Sequence, residues 1–335
     1  MERAGAVGSS AADLPDRGAR LIEVHRLMCL VRALDERMQL LVLQGKAAFV
    51  GSCAGQEGVQ VAATMAMGEN DLVIPYYRDL GVAVAMGLTA LEWMLAVYAR
   101  KDDPLSGGRQ IPGHFSCRQK RIVNISTVVG AHLSHAVGVA YASRLRGLDQ
   151  VSLCLFGDGA TSTGDFHEAL NMAAVHRLPV VFVCENNGWA ISVPQDRQMA
   201  VGDVALRASG YGMPGLVLPG SDVPGLYENT LQAVARARRQ EGPTLIEAKC
   251  PRLNSHSSED DQRRYRSIED EQAARRSDPL VHFEAWLEAR GWLTAEQATQ
   301  VRQEAAALAL QAAEAAEMSD QPDAADLGLH VYAQA

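Results

Sequence analysis

The residues with the clearest potential for chemistry lie in two polar clusters, each directly after a short apolar run. The first cluster is Gly157-Asp158-Gly159, and the second is Asn186-Asn187-Gly188-Trp189. Mg²⁺ prefers oxygen ligands in an octahedral shell and usually shares that shell between protein, water and phosphates. The carboxylate of Asp158, the amide oxygen of Asn187 and the backbone carbonyl of Trp189 would supply one face of such a shell. Because glycine lets the backbone approach a ligand closely, the clusters predict a site for a metal ion and a diphosphate.

The two clusters are expected at neighbouring ends of a parallel sheet. Apolar runs at 151–156 and 180–184 flank a segment, 165–177, whose apolar residues recur at helical spacing. A strand, a helix and a second strand in this order predict parallel strands joined by a right-handed crossover. Ligands of open parallel sheets bind beyond the carboxyl ends of the strands. Asp158 and Asn187 should therefore face one crevice.

Two other interpretations of these clusters stay open. Gly157-Asp158-Gly159 together with Glu185 also resembles a nicotinamide dinucleotide site, in which an acidic residue holds a ribose. That fingerprint requires a third glycine where this chain has Ser162, and it gives no role to Asn186-Asn187. A purely structural turn is the second alternative. The metal and diphosphate interpretation is favoured because it accounts for both clusters.

The same clusters resemble the thiamin diphosphate motif, in which Gly-Asp-Gly is followed after 26 residues by Asn-Asn. The flanking segments Gly-Asp-Phe-His-Glu-Ala (164–169) and Cys-Glu-Asn-Asn-Gly-Trp-Ala-Ile-Ser (184–192) are similar to the E1 α subunits of 2-oxo acid dehydrogenase complexes. The resemblance implies an α/β thiamin diphosphate-binding fold, with a parallel sheet and helices on both faces. It also implies thiamin diphosphate and Mg²⁺ as cofactors, with Asp158, Asn187 and Trp189 as the metal ligands.

The resemblance further implies cofactor contacts in three parts of the chain. Tyr77-Arg78 resembles the family's phosphate contact, and a guanidinium fork matches phosphate oxygens geometrically. The turn around Thr127 and Val129 is similar to the family's backbone contact with the cofactor. In the two polar clusters and the residues directly after them, the implied contacts are Gly157, Asp158, Gly159, Ala160, Asn187, Trp189 and Ile191.

Two irregular loops each carry a histidine. The glycines, the proline and the histidine of 102–117 suggest a loop that lines a site, although a single loop histidine such as His114 is usually a surface residue. Without the resemblance, the loop 254–266, with His256, is expected to be a mobile, solvated loop. Their segments Gly-Arg-Gln-Ile-Pro-Gly-His-Phe and His-Ser-Ser-Glu-Asp are similar to loops of the same family. The resemblance implies that His114 and His256 are catalytic and that His256 also contacts the cofactor. Three residues are then expected to hold the second loop closed: Asp260, Tyr265 and Arg266.

Length and composition predict a globular chain with a large core. With 335 residues, 47% of them hydrophobic, the chain can form one large α/β domain or two closely joined ones. We expect a flexible N-terminal arm over residues 1–18, followed by a single cofactor-binding domain over 19–335 that ends in a helical tail. Helical spacing and helix-end signals predict helices at 21–44, 59–67, 88–98, 133–146, 222–239, 280–290 and 294–318. Further strands are expected at 71–75, 122–127 and 242–249.

The composition argues against nucleic acid or an anionic membrane as a partner. The formal net charge is −9 and the pI is about 5.5, so the chain as a whole repels polyanions. The six cysteines are scattered without a C-x-x-C pair, which is typical of reduced core residues. No apolar run approaches the roughly 18 residues of a membrane span. We therefore expect a cytoplasmic protein.

The resemblance implies the function of an E1 α subunit. In that family a 2-oxo acid is decarboxylated with thiamin diphosphate, and its acyl group passes to the lipoyl domain of an E2 acyltransferase. The matching segments are most similar to branched-chain members, so we expect a branched-chain 2-oxo acid as substrate, with the pyruvate and acetoin enzymes as alternatives. A glutamate of a separate E1 β subunit activates the cofactor in relatives, which implies an α₂β₂ heterotetramer. A cofactor-binding paralogue without catalysis is an alternative of a different class.

Overall fold

A five-stranded parallel sheet forms the centre of the part of the chain that the structure describes. The structure is a computed structural model that describes residues 14–123 and 127–329. The strand order is β1-β2-β3-β7-β6, and every neighbouring pair is parallel. The strands are β1 (Leu72–Ile74), β2 (Ser152–Gly157), β3 (Val180–Asn186), β6 (Gly215–Pro219) and β7 (Thr244–Lys249). A separate antiparallel pair consists of β4 (Trp189–Ala190) and β5 (Val193–Pro194).

Helices cover both faces of the sheet. They are α1 (Leu14–Leu43), α2 (Glu57–Met65), α3 (Leu80–Ala85), α4 (Ala90–Val97), α5 (Ala131–Leu145), α6 (Gly164–Val175), α7 (Ala208–Tyr211), α8 (Val223–Arg238), α9 (Ile268–Arg276), α10 (Pro279–Glu288) and α11 (Ala295–Glu317). Because side chains alternate along a strand, Leu153 and Leu155 pack in the core under α1, α2 and α8, whereas Cys154 and Phe156 pack with α5 and α6. This arrangement confirms the predicted α/β fold.

The register of β2 against β3 brings the two polar clusters together. Gly157 pairs with Glu185 at the carboxyl ends of the two strands. Asp158 therefore follows directly after β2, and Asn187 follows directly after β3, at the same edge of the sheet. The predicted helix between them is α6. Its N-terminus is capped by Thr163, whose side chain accepts a hydrogen bond from the backbone N–H of Phe166.

The structure differs from the sequence-based prediction at several ends. Helix α1 begins at Leu14, so residues 14–18 are helical rather than part of a flexible arm, and residues 1–13 lie outside the described part. The strand expected at 122–127 is represented by Ile122 alone, which bridges to Val73 and Cys117. Residues 124–126 of that strand and 330–335 of the expected tail also lie outside the described residues. Strand β6 and helices α3, α7 and α9 were not predicted.

The structure bears on the expected state of the cysteines and on the search for membrane-spanning helices. All six cysteines are free, and five of them are buried, including Cys154 in β2 and Cys184 in β3. Among the described helices, none combines the length and the apolar character that a membrane crossing requires.

Candidate active site

A cavity of about 210 Å³ opens beyond the carboxyl ends of β2 and β3. It collects residues from five separate parts of the chain, which the sheet and its connections bring to one edge. Eleven of its lining residues were predicted from the sequence: Tyr77, Arg78, Val129, Gly157, Asp158, Gly159, Ala160, Asn187, Trp189, Ile191 and His256. Four were not predicted: Tyr76, Gly130, His132 and Ala190.

Asp158 and Asn187 are in direct contact at the floor of this cavity. The backbone N–H of Asn187 donates a hydrogen bond to Oδ1 of Asp158, with a distance of 3.4 Å. The amide of Gln198 donates to the other carboxylate oxygen, Oδ2, at 2.7 Å. The Asn187 side chain accepts from the backbone N–H of Trp189 at 3.2 Å, which fixes its Oδ1 at the same turn. The oxygen donors at this turn therefore suit a hard cation such as Mg²⁺.

Burial makes the charged form of Asp158 costly. The residue is 1% exposed, and burial raises its pKa to about 6, although the hydrogen bonds from Gln198 and Asn187 act in the opposite direction. A bound cation would stabilise the carboxylate and remove this cost.

The turn after β3 has an unusual backbone. Gly188 has a φ of 78°, which glycine adopts readily, but Ile191 has a φ of 56°, which a β-branched side chain rarely adopts. The carbonyl oxygen of Ile191 accepts a hydrogen bond from Arg252 at 3.0 Å. This contact holds the strained residue at the wall of the cavity.

Arg78 supplies a buried positive charge to the cavity. It is 2% exposed, and its Nη1 donates to the carbonyl oxygen of Ser52 at 2.7 Å. Its Nη2 lies 3.1 Å from Nδ1 of His256, and the guanidinium is 5.3 Å from the centre of the Tyr77 ring. Neither the carbonyl of Ser52 nor a neutral histidine cancels its charge. The guanidinium is therefore suited to an anionic ligand.

His256 is neutral in this environment. Burial, reinforced by the charge of Arg78, lowers the pKa of His256 to about 4. Since Nδ1 accepts the hydrogen bond from Arg78, the ring proton of the neutral histidine resides on Nε2. His256 thus has one N–H donor that this contact does not use.

The loop that carries His256 is closed by a chain of hydrogen bonds. The backbone N–H of His256 donates to Asp260 at 2.9 Å, and the hydroxyl of Tyr265 donates to the same carboxylate. Arg252 in turn donates to the Tyr265 hydroxyl at 2.9 Å. The guanidinium of Arg266 donates to the carbonyl of Arg252 at 2.8 Å. The three residues expected to hold this loop closed therefore all contribute to its contacts.

Two predicted site residues do not line the cavity. Thr127 is exposed, whereas Val129 of the same turn does line the cavity. His114 is half-buried, and its Nδ1 contacts the carbonyl of Ile111 at 3.1 Å. The preceding residue, Gly113, lies so close to the carbonyl of Tyr77 that a Cβ would stand 2.8 Å from that oxygen. His114 is therefore next to the cavity wall but outside it.

The unpredicted lining residues have identifiable structural origins. Tyr76 directly precedes Tyr77, and its hydroxyl donates to the buried Glu185 at 3.2 Å. His132 lies in the first turn of α5, is 3% exposed, and contacts the carbonyl of Leu155 at 2.9 Å. His132 lies one residue before the predicted helix 133–146, so no pattern in the sequence marks it as a site residue.

Comparison with known proteins agrees with this geometry. The model of the family described as "Dehydrogenase E1 component" matches residues 25–325. The chain is 48% identical over 287 residues to the 2-oxoisovalerate dehydrogenase subunit alpha of Bacillus subtilis, which covers 85% of this chain and 86% of the relative. It is 38% identical over 283 residues to the 3-methyl-2-oxobutanoate dehydrogenase subunit alpha of Mycobacterium tuberculosis, covering 83% of this chain and 73% of the relative. With the mitochondrial 2-oxoisovalerate dehydrogenase subunit alpha of Homo sapiens it shares 32% identity over 333 residues, which is 99% of this chain and 75% of that protein. The chain therefore belongs to the dehydrogenase E1 component family.

Proposed function

We propose that the chain is the α subunit of a branched-chain 2-oxo acid dehydrogenase E1 enzyme and holds the diphosphate end of thiamin diphosphate together with Mg²⁺. The observation that supports this most strongly is the contact between the Asn187 backbone and the Asp158 carboxylate on one cavity. In the proposal, Asp158, Asn187 and the carbonyl of Trp189 bind the metal. All three donors are oxygen atoms, which is the ligand set that Mg²⁺ requires.

The remaining cavity residues have roles that follow from their charge and position. Arg78 neutralises phosphate charge, and His256 offers its Nε2 proton to the cofactor or to the reacting group. When bound, thiamin diphosphate supplies a carbanion and an electron sink, whereas the protein supplies binding and orientation. Gly159 also has a packing reason, since a Cβ at this position would stand 3.0 Å from Cβ of Ala190.

The substrate and partners in this proposal come from the relatives. The bacterial and human proteins are named as 2-oxoisovalerate or 3-methyl-2-oxobutanoate dehydrogenase α subunits. We assign the same substrate class to this chain, with transfer of the acyl group to the lipoyl domain of an E2 acyltransferase. The proposal includes a partner subunit. Among the described residues that line the cavity, Asp158 is the only acid, and we assign the carboxylate that activates the cofactor to an E1 β subunit, as the resemblance to the family implies.

The position of Glu185 argues against the nicotinamide alternative. It requires Glu185 to hold a ribose, but Glu185 is fully buried behind the cavity. Its side chain accepts hydrogen bonds from Gln60 at 3.0 Å and from Tyr76 at 3.2 Å. Glu185 is therefore engaged in the core rather than turned toward a ligand.

Replacing Asp158 tests the proposal. In the chain assembled with its β subunit, D158A should abolish the Mg²⁺-dependent part of thiamin diphosphate binding in isothermal titration calorimetry, because the buried carboxylate ligand is lost. D165A is the matched control, since Asp165 lies in the first turn of α6 and does not line the cavity. Wild-type affinity of D158A at all magnesium concentrations would refute the metal assignment.

A further inference from the structure

Two glutamines after β5 connect the two polar turns that form the proposed metal site. Gln195 donates its backbone N–H to the carbonyl of Gly188 at 2.9 Å, and its Oε1 accepts from the side chain of Asn186 at 2.8 Å. Gln198 reaches the other turn, where its Nε2 donates to Oδ2 of Asp158 at 2.7 Å. One short segment thus contacts the turns after β2 and after β3.

This segment closes on itself and is anchored to the protein at two further points. The backbone N–H of Gln198 donates to the carbonyl of Gln195 at 3.1 Å, which closes a helical turn. The hydroxyl of Ser162 donates to Oε1 of Gln198 at 3.3 Å, so the orientation of the amide is fixed with its N–H₂ toward Asp158. The next residue, Met199, is 7% exposed and belongs to the core on the α5 and α6 face. Gln198 is therefore not a loosely attached surface side chain.

The contact of Gln198 with one carboxylate oxygen has a consequence for coordination. Ca²⁺ accepts carboxylates in either monodentate or bidentate form at about 2.3–2.6 Å, whereas Mg²⁺ demands a compact octahedron at about 2.0–2.1 Å. The hydrogen bond on Oδ2, at 2.7 Å, is much shorter than the 3.4 Å hydrogen bond on Oδ1, so Oδ1 is the oxygen that is freer to bind a metal and bidentate binding through both oxygens is disfavoured. The contact is compatible with monodentate binding, the mode that suits Mg²⁺, and it orients the carboxylate for that mode.

We propose that Gln198 is a specificity-determining residue that restricts Asp158 to monodentate coordination and so favours Mg²⁺ over Ca²⁺. Gln195 has a different role as a positioning residue, since it holds the Asn186–Gly188 turn. Residues that hydrogen-bond to metal ligands commonly change metal affinity about 10- to 100-fold when they are replaced. The inference rests on the proposed function, because it requires a cation on Asp158.

The test measures metal preference rather than turnover. Thiamin diphosphate affinity of the chain assembled with its β subunit is determined by calorimetry with Mg²⁺ and, separately, with Ca²⁺. Gln198→Met keeps the side-chain length but removes the donor, and we expect about tenfold weaker Mg²⁺-supported binding with a much smaller loss for Ca²⁺. Gln195→Met should weaken binding with both ions by similar factors. Gln150→Met is the control, since Gln150 precedes β2, at the opposite end of that strand from Asp158, and its side chain accepts a hydrogen bond from Ser143.

The outcomes separate this inference from the proposed function. An unchanged ratio of the two ion-supported affinities in Gln198→Met, with wild type dependent on Mg²⁺, overturns the role of Gln198 and leaves the site intact. Absence of any metal dependence in wild type overturns the proposed function itself. If Gln198→Met fails to fold, Gln198→Asn gives a second measurement, because its shorter amide cannot span the same distance to Asp158.

Discussion

His132 shows how burial at the cavity changes the behaviour of a single residue. Its Nε2 donates to the carbonyl of Leu155 at 2.9 Å, and its ring stacks on Tyr76 with centres 6.4 Å apart. Burial lowers the pKa of His132 to about 4. The unfolded chain, with a histidine pKa near 6.5, therefore binds more protons than the folded chain between pH 6.5 and pH 4.

This difference predicts a pH-dependent loss of stability. Because the folded pKa lies below the unfolded value, the stabilisation by neutral His132 is complete above about pH 6.5 and declines as the pH falls toward 4. Relative to H132Q, wild type should lose up to about 3 kcal/mol of unfolding free energy across this window. Urea unfolding at several pH values measures the difference. H282Q, which alters an exposed histidine of helix α10, should track wild type, and a pH-independent gap between wild type and H132Q would contradict the prediction.

At the residue scale, what the sequence revealed depended on the regularity of the surrounding structure. Asp158 and Asn187 could be predicted because they follow strands whose parallel pairing brings their ends to one edge. Gln198 could not be predicted, because its contact with Asp158 depends on the chain turning back through β4 and β5, which have two residues each. Such short strands carry no detectable pattern of alternating side chains.

At the scale of elements, Arg32 joins three helices through buried ion pairs. It lies on α1, and its Nε donates to Glu57 at the start of α2. Its two terminal nitrogens form a bidentate pair with Asp278, the N-cap of α10, at 2.9 and 3.0 Å. Glu57 is fully buried and also accepts from the backbone N–H of Gly55 at 2.8 Å. The charge of Glu57 is therefore stable only with Arg32 beside it.

Removal of this arginine should be strongly destabilising. R32M leaves a buried carboxylate without its cation, and we expect a loss of about 3–5 kcal/mol in the free energy of unfolding, measured by urea denaturation. The double variant R32M/E57Q should recover part of this loss, since the uncompensated charge is gone. R239M, at an exposed ion pair with Glu241, is the control and should leave the denaturation midpoint unchanged. Equal stability of R32M and wild type would show that the ion pairs make no net contribution.

Element boundaries could be predicted where local chemistry defines them. Helix α11 begins directly after Thr294, as expected, because Thr294 and Gln297 form a capping box. The start of α1 was missed, since Gly18 disfavours a helix locally. A Cβ at that glycine would stand 3.6 Å from the ring of Trp292, so tertiary packing favours the helix there. Strand β6 was missed because it is a sheet edge that begins with Gly215 and ends with Pro219.

At the scale of the whole molecule, the proposed function divides the ligand site between two chains. In that proposal Asp158 and Arg78 bind the diphosphate end of the cofactor, and the described lining of the cavity contains no second acid for proton transfer. The sequence predicted which residues of this chain meet at the cavity, because their motifs follow paired strands. It could not identify the residues that act on the rest of the cofactor, because in the proposed enzyme those residues belong to the β subunit.

The proposed division of the site predicts that activity and substrate preference can be measured only with the α and β chains together. When the α and β chains are combined, oxidative decarboxylation should proceed with the three branched-chain 2-oxo acids at a higher kcat/KM than with pyruvate. An apolar pocket gains about 1–3 kcal/mol for each methylene group it binds, so the preference should be about 10- to 200-fold. The measurement is reduction of an artificial electron acceptor with each acid in turn. The α chain alone serves as the control and should give no turnover, because the required second acid is absent from its described cavity lining. Pyruvate turnover equal to that of the branched-chain acids would contradict the substrate assignment, and robust activity of the α chain alone would contradict the shared site.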